Sequence, residues 1–435
     1  MGIEMIAVDL GSVCSLITDG SHFSPKMALS GLPMASVKDL TPFGIDYATC
    51  KIIAEEDFHK LVCQGCAPRK DDVLIAKDGN SSLDTVCIHR DDKPVVLLSS
   101  VAILRADPQK ILPSYLYYFL DNPIERQQLK DNFRSGSAIP RVILKDFKKV
   151  PIRVPSIHYQ YKIEDILAPI YRKLQLLQQM NKTLEAIAKA IFRSWFVDFD
   201  PVRKKAAGEL TGLPQEICAL FPNSFEHSEM GDIPKGWSVN TLASLCKLNP
   251  ETWNNQNHPP AIEYLDLSGV KSGEILVTTK YVYDTAPSRA RRVLRKGDTI
   301  IGTVRPGNRS FAYIYKDGFT GSTGFAVIRS HNLNFTEFIY LASTQDESIE
   351  KYAHLADGGA YPAISPELIV SQKIVIPPDE LLMIFHNITK SLFDFMSLNC
   401  QTLKYYVDLK DGLLPKLIYG ELEIPDVNII LEKAT

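Results

Sequence analysis

Arg305-Pro306-Gly307-Asn308-Arg309 is the segment best suited to chemistry on a polyanion. A guanidinium can pair bidentately with guanine or with a phosphate, Asn can pair with adenine, and Pro and Gly permit a tight loop tip. The pentapeptide closes a basic stretch, residues 289–309, that holds Arg289, Arg291, Arg292, Arg295 and Lys296 against one carboxylate, Asp298. A second stretch, residues 130–153, holds Lys130, Arg134, Arg141, Lys145, Lys148, Lys149 and Arg153 against Asp131 and Asp146. Arg69, Lys70 and Lys77 add to it. Cationic side chains interleaved with Gly, Ser and Asn suit phosphate contact and base-edge hydrogen bonding in duplex DNA. Candidate DNA contacts are therefore Arg69, Lys70, Lys77, Arg134, Arg141, Lys145, Arg289, Arg291, Arg292, Arg305, Asn308 and Arg309, with Tyr361 of the turn 358–364 as a further one. The alternative for each cation is a solvated charged face, and for Tyr361 a packed core position.

Other chemistries find little support. Asp72 and Lys77 carry side chains that a metal-dependent nuclease uses, but no Glu-x-Lys element accompanies them, and Thr303 stands where a duplicated centre would keep the lysine. Cys63-Gln64-Gly65-Cys66 is a lone CxxC without the second pair a zinc site needs. The chain has no G-x-x-x-x-G-K-[ST] phosphate loop, no G-x-G-x-x-G turn after a strand, no H-E-x-x-H helix and no G-x-S-x-G elbow. Its nine histidines show no ligand spacing. No catalytic residue, metal or cofactor is expected on this chain.

The elements that must position these groups are written twice. Leu10-Gly11-Ser12-Val13-Cys14 resembles Leu242-Ala243-Ser244-Leu245-Cys246, and Asp72-Val73-Leu74-Ile75 resembles Asp298-Thr299-Ile300-Ile301. Ala102-Ile103-Leu104-Arg105 resembles Ala326-Val327-Ile328-Arg329, and Gly136-Ser137-Ala138-Ile139-Pro140 resembles Gly358-Gly359-Ala360-Tyr361-Pro362. Each half opens with short strands and helical pieces (residues 115–120 and 337–342), then a Pro-flanked strand (150–154 and 373–376), then a long helix. In the first helix Ile163, Leu167, Ile170, Leu174, Leu177, Asn181, Leu184, Ala188, Ile191 and Trp195 recur in alternating steps of four and three, the coiled-coil rule. The second carries Phe385, Thr389, Leu392, Met396, Asn399, Leu403, Tyr406, Lys410, Leu413 and Leu417 at matching places. Pro169 either kinks the first helix or marks its start. A pseudo-two-fold chain makes the helices antiparallel. One register sets Asn181 against Asn399, Leu177 against Leu403, Leu184 against Met396 and Trp195 against Phe385. Registers shifted by a heptad, or asparagines facing solvent, are the alternatives.

The expected architecture is α+β: two similar mixed α/β domains, separated by two long antiparallel coiled-coil helices. Its expected parts are 1–155, first domain; 156–198, helix; 199–230, connector with a short helix at 215–220; 231–377, second domain; 378–420, helix; and 421–435, tail. The 435 residues carry 48 Lys+Arg and 51 Asp+Glu, so any polyanion must be met by local patches rather than by global charge. There is no apolar run of about 18 residues and no signal-peptide pattern, so no membrane helix is expected, and the chain is expected to be cytoplasmic with its eight cysteines reduced. A duplicated, charge-patched chain without catalytic motifs suits the reading of two short DNA words at a fixed separation.

Ala188-Lys189-Ala190-Ile191-Phe192-Arg193-Ser194-Trp195-Phe196-Val197-Asp198-Phe199-Asp200-Pro201-Val202 resembles the central conserved region of specificity subunits of type I restriction-modification systems. Leu220-Phe221-Pro222-Asn223-Ser224-Phe225 with Gly231-Asp232-Ile233-Pro234-Lys235-Gly236-Trp237 resembles the opening of their second target-recognition domain, and Leu413-Leu414-Pro415-Lys416-Leu417-Ile418 their distal conserved helix. The resemblance spans essentially the whole chain. One departure is that residues 1–10 lack the Ile-Pro-x-Gly-Trp lead found before the second domain. The resemblance implies two target-recognition domains, each reading half of a bipartite double-stranded DNA site. It implies helices that dock two modification subunits, which carry adenine methyltransferase chemistry and S-adenosylmethionine, and restriction subunits that use ATP. A stand-alone DNA-binding regulator is the alternative.

Overall fold

The computed structural model describes residues 5–79, 82–135, 141–356, 362–422 and 424. Its contacts divide the chain into two units, Met1–Leu176 with Leu403–Thr435, and Leu177–Thr402.

The first unit is built on four strands, β1 (Cys14–Asp19), β2 (Val73–Ala76), β3 (Val86–Ile88) and β4 (Val101–Ala106), in the order β1-β4-β2-β3. The second unit repeats the plan with β5 (Cys246–Leu248), β6 (Thr299–Gly302), β7 (Phe311–Tyr313) and β8 (Phe325–Ser330), in the order β5-β8-β6-β7. Val73–Ile75 and Thr299–Ile301 thus occupy matching strands, as do Ala102–Arg105 and Ala326–Arg329. In both units the central pair is antiparallel, Ile103 facing Leu74 and Val327 facing Ile300. Strands β2 and β6 are buried at every position, because helices or a second sheet cover both faces; this is why they read as unbroken apolar runs.

Each sheet packs on a short apolar helix, Pro113–Asp121 or Thr336–Ser343. In each unit the Pro-flanked strand closes a two-stranded ribbon with an early strand of its half: Met5–Asp9 pairs with Pro151–Pro155, and Ser238–Thr241 with Lys373–Ile376. The long helices follow as α1 (Ile157–Phe196) and α2 (Asp379–Ile418), 40 residues each. Pro169 lies inside α1 and does not start it.

The units take up different parts of these helices. In the first unit Ile163 and Leu167 of α1 and Leu414, Leu417 and Ile418 of α2 are fully buried in one cluster. In the second, Phe192, Trp195 and Phe196 of α1 meet Phe385 of α2, with ring centroids 5.0–6.1 Å apart. Such pairs add roughly 0.5–1.5 kcal/mol each beyond the area they bury.

The stretch expected as a connector is folded. It contains helices Asp200–Ala206 and Gln215–Ala219 and the first strand of a hairpin, Phe225–Ser228, whose partner Gly231–Pro234 opens the expected second domain. Phe199, Val202 and Phe221 are buried in the core of the second unit. Its Gly and Pro residues mark the turns between these small elements, and the apolar anchors between them set where the segment packs.

Candidate nucleic-acid interface

The Arg305 loop leaves the buried strand β6. It is tethered to residues 362–364: Ile364 donates its amide to the Thr303 carbonyl at 2.9 Å, and Arg305 donates its own to that of Pro362 at 2.9 Å. Pro306–Asn308 forms a single 3-10 turn with Pro306 buried. The tip is tight, but Gly307 does not supply the left-handed geometry. Arg305 (φ 47°) and Arg309 (φ 61°) do so instead. A left-handed non-glycine residue costs about 1 kcal/mol or more, and such strain gathers at functional sites. Its effect here is to project the exposed Arg305 and Asn308 side chains. Arg309 is held back, ion-paired with Asp346 and 5.7 Å from the Phe311 ring centroid.

Most other cations of the 289–309 stretch are engaged internally. Arg291 donates to the Ser288 carbonyl at 3.1 Å and lies 5.2 Å from the Tyr283 ring centroid; that ring stacks on His258 at 3.8 Å. Arg292 is half-buried, its Nε has no hydrogen-bond partner among the described residues, and burial lowers its pKa. Arg295 pairs with Glu251 at 2.9 Å and Lys296 with Asp394 at 2.9 Å. Arg289 is exposed. The stretch that reads as one basic patch thus offers Arg289, Arg305 and Asn308 outward.

In the first unit Arg69 and Lys70 are exposed on the turn before β2, and Lys145 is exposed on the short helix Leu144–Phe147. Arg141 is exposed, and its backbone pairs with Ser135. Lys77 stands apart from the other candidates. Only 7% exposed, its ammonium lies 3.3 Å from Asp19 and 3.2 Å from Asp78. Two carboxylates neutralise it inside the fold, which argues against its reaching a phosphate. Tyr361 and the turn 136–140 lie outside the described residues, as does the side chain of Arg134.

The Asp72 that invited a nuclease reading is a structural ion pair, and it is duplicated. Asp72 takes Arg105 bidentately at 2.8 and 2.7 Å and accepts the Arg69 amide at 2.7 Å. Asp298 takes Arg329 at 2.7 and 2.8 Å and accepts the Arg295 amide at 2.8 Å. Both carboxylates are 1% exposed. Asp298, foremost, holds the Arg329 guanidinium above its ordinary pKa. Sequence reasoning missed these pairs, although all four residues fall within the repeated segments. Among the described residues no group of three His, Cys, Asp or Glu side chains could hold a metal ion. No helix among them is long and apolar enough to cross a membrane.

The seam residues are distributed as follows. In the second unit Asn399 donates to the Asn181 side-chain carbonyl at 2.8 Å, and Asn181 donates to the Cys400 sulfur at 3.4 Å. Trp195 sits 6.1 Å from Phe385, and a single antiparallel register accommodates both pairs. Leu177 is buried; Leu184 and Met396 are half-buried. In the first unit Leu174 is buried, while Leu403 and Tyr406 are half-buried against the same cluster. There Lys410 reaches Asp121 at 3.0 Å and lies over the Tyr171 ring.

A profile described as Type I restriction modification DNA specificity domain matches residues 53–186. The chain is 23% identical over 405 residues to the Type I restriction enzyme HindI specificity subunit of Haemophilus influenzae, covering 82% of this chain and 87% of that protein. It is 25% identical over 329 residues to the MjaIX specificity subunit of Methanocaldococcus jannaschii, covering 73% and 71%. Its fold matches the crystal structure of a type I restriction-modification S subunit from M. genitalium with a TM-score of 0.52 and 16% identity, over 98% of this chain and 97% of that one. The duplicated sheet, the paired 40-residue helices and these matches make the chain similar to the specificity subunits of type I restriction-modification systems.

Proposed function

We propose that the chain is the DNA sequence-specificity subunit of a type I restriction-modification complex, with each repeated domain reading one half of a bipartite target. The observation that carries this is the duplication itself: two sheets of one strand order, each bearing exposed cations, Arg69, Lys70 and Lys145 in one and Arg289 and Arg305 in the other. Phosphate contacts position each reader and base contacts specify its word.

The long helices set the distance between the two words and dock modification subunits. Met180 and Ile187 of α1 and Phe395 and Leu398 of α2 support the docking role, since each is an exposed apolar side chain in the second unit. Exposed apolar residues on a helix surface suit a protein partner. Methyl transfer, with its S-adenosylmethionine, and ATP-driven restriction belong to partner subunits; this chain contributes recognition.

Sequencing of methylated adenines in a host carrying the full system tests the assignment. The expected result is a bipartite motif that changes in one word when one domain is exchanged. A host whose methylation is unaltered by deletion of this chain would refute it. Insertion of seven residues into one long helix is expected to change the tolerated gap or abolish assembly, and an unchanged gap would reject the spacing role.

A further inference from the structure

The second unit contains a polar cavity of about 250 Å³ that the Arg305 loop does not enter. Tyr264 and Tyr281, edge to face at 6.1 Å, line it together with Thr279, Asp266 and Arg289. Tyr264 is 5% exposed, and its hydroxyl is buried without a hydrogen-bond partner among the described residues. Buried hydroxyls almost always find a partner, because an unsatisfied one destabilises the fold. Here the orphan lines a cavity, so its partner enters from outside, as a water or as a ligand group that displaces it. Asp266 is half-buried and held in place by the Ser268 hydroxyl at 2.7 Å and the Gly269 amide at 2.9 Å. The exposed Arg289 makes no ion pair among the described residues, and its carbonyl accepts the Thr323 amide at 2.8 Å, which fixes the backbone beneath it.

Comparison of the two repeats separates this feature from packing. Ala261–Leu265 runs parallel to Phe319–Ser322 with Tyr264 facing Thr320, just as Leu32–Ala35 runs parallel to Val96–Leu97 with Met34 facing Val96. Tyr264 therefore stands where the first unit has Met34, which is 1% exposed, and Asp266 where it has Ser36. Ser36 bonds inward to Asp39 at 2.8 Å. The fold is satisfied by a methionine at this position, so the phenol is not there to fill the core.

We propose that this cavity reads one base pair of the half-site assigned to the second unit. A nucleobase edge enters it; Asp266 accepts from an exocyclic amino group, and the Tyr264 hydroxyl and Arg289 donate to a neighbouring ring or carbonyl acceptor. The inference rests on the specificity reading above.

The test presents the full chain with duplexes that carry two randomised blocks and variable spacing, and sequences the bound fraction for the wild type, Tyr264→Phe and Asp266→Asn. Wild type is expected to select two words. Each variant is expected to keep one word and to lose preference about tenfold at a single position of the other. Tyr264→Phe is expected to melt at the same or a higher temperature, which separates lost reading from lost folding. Variants that select both words unchanged, or weaken evenly at every position, overturn this inference and leave the specificity reading standing. A wild-type chain that selects no word overturns both.

Discussion

Asp298→Ala removes one side of a buried bidentate pair. The carboxylate is 1% exposed and accepts three hydrogen bonds, two from Arg329 and one from the Arg295 amide. Breaking such a pair by deleting one partner costs roughly 3–5 kcal/mol, because the remaining charge is left uncompensated. Two features place this case near about 3 kcal/mol. The Arg329 side chain is 23% exposed and keeps Glu251 as a second partner. For a unit of this size roughly 2–4 °C of melting temperature follows each kcal/mol, so a fall of about 6–12 °C is expected. Asp72→Ala is the internal control. Arg105 has no second carboxylate within reach among the described residues, so the first unit is expected to lose at least as much. Differential scanning calorimetry of both variants, with an Asp298→Ala, Arg329→Ala double-mutant cycle, measures the effect. Falls below about 2 °C in both variants, or additive single and double changes, would refute the reasoning, since a true pair couples by at least about 0.5 kcal/mol.

Arg305→Ala is expected to weaken binding to the cognate site more than to random duplex if it reads a base; equal weakening in a filter or anisotropy titration assigns it to a phosphate. Lys77→Ala is expected to lower thermal stability, and a selective loss of DNA affinity at unchanged stability would contradict its internal placement. Asn181→Leu alone is expected to destabilise by about 1–3 kcal/mol, because Asn399 loses its acceptor, and Asn399→Leu added to it restores the loss; a double variant as unstable as the single one would reject the paired seam. Burial raises the Glu337 pKa above the ordinary 4.5, against the opposing pull of His386 at 2.5 Å, with Asp394 adding a like charge. The sign follows: the folded state holds this proton longer, so the stability it confers is complete below the ordinary value and lost as pH rises through the raised one. Glu337→Gln is expected to flatten that part of the melting-temperature profile, and a wild-type minus variant difference that does not change with pH would count against it.

The repeat was legible because apolar runs and their punctuation survive duplication. Asp72-Val73-Leu74-Ile75 and Asp298-Thr299-Ile300-Ile301 end up on matching strands, each opened by a buried carboxylate. The long helices were legible because a coiled-coil seam imposes its period over many turns. Surface charge was not legible in the same way. Whether a cation faces solvent depends on residues far away in sequence: Glu251 captures Arg295, Asp346 captures Arg309, and Asp19 captures Lys77. A local count of cations sees none of these carboxylates. The Arg305 loop misled in a related way, since a Pro-Gly pair suggests a glycine in the left-handed position while the strain sits on the flanking arginines. The Tyr264 cavity left no sequence signal because its walls come from strands joined only by tertiary pairing.

The division of the chain has a consequence for its synthesis. The second unit is one uninterrupted stretch, Leu177–Thr402, but the first needs residues from Leu403 onward. At about 5–20 residues per second, a ribosome takes tens of seconds between the two pieces of the first unit. Throughout that interval Ile163 and Leu167 lack Leu414, Leu417 and Ile418, the partners that complete their cluster. The part made first is therefore finished last. A premature stop near residue 402 removes the closing partners of the amino-terminal unit and leaves the second unit's own stretch whole.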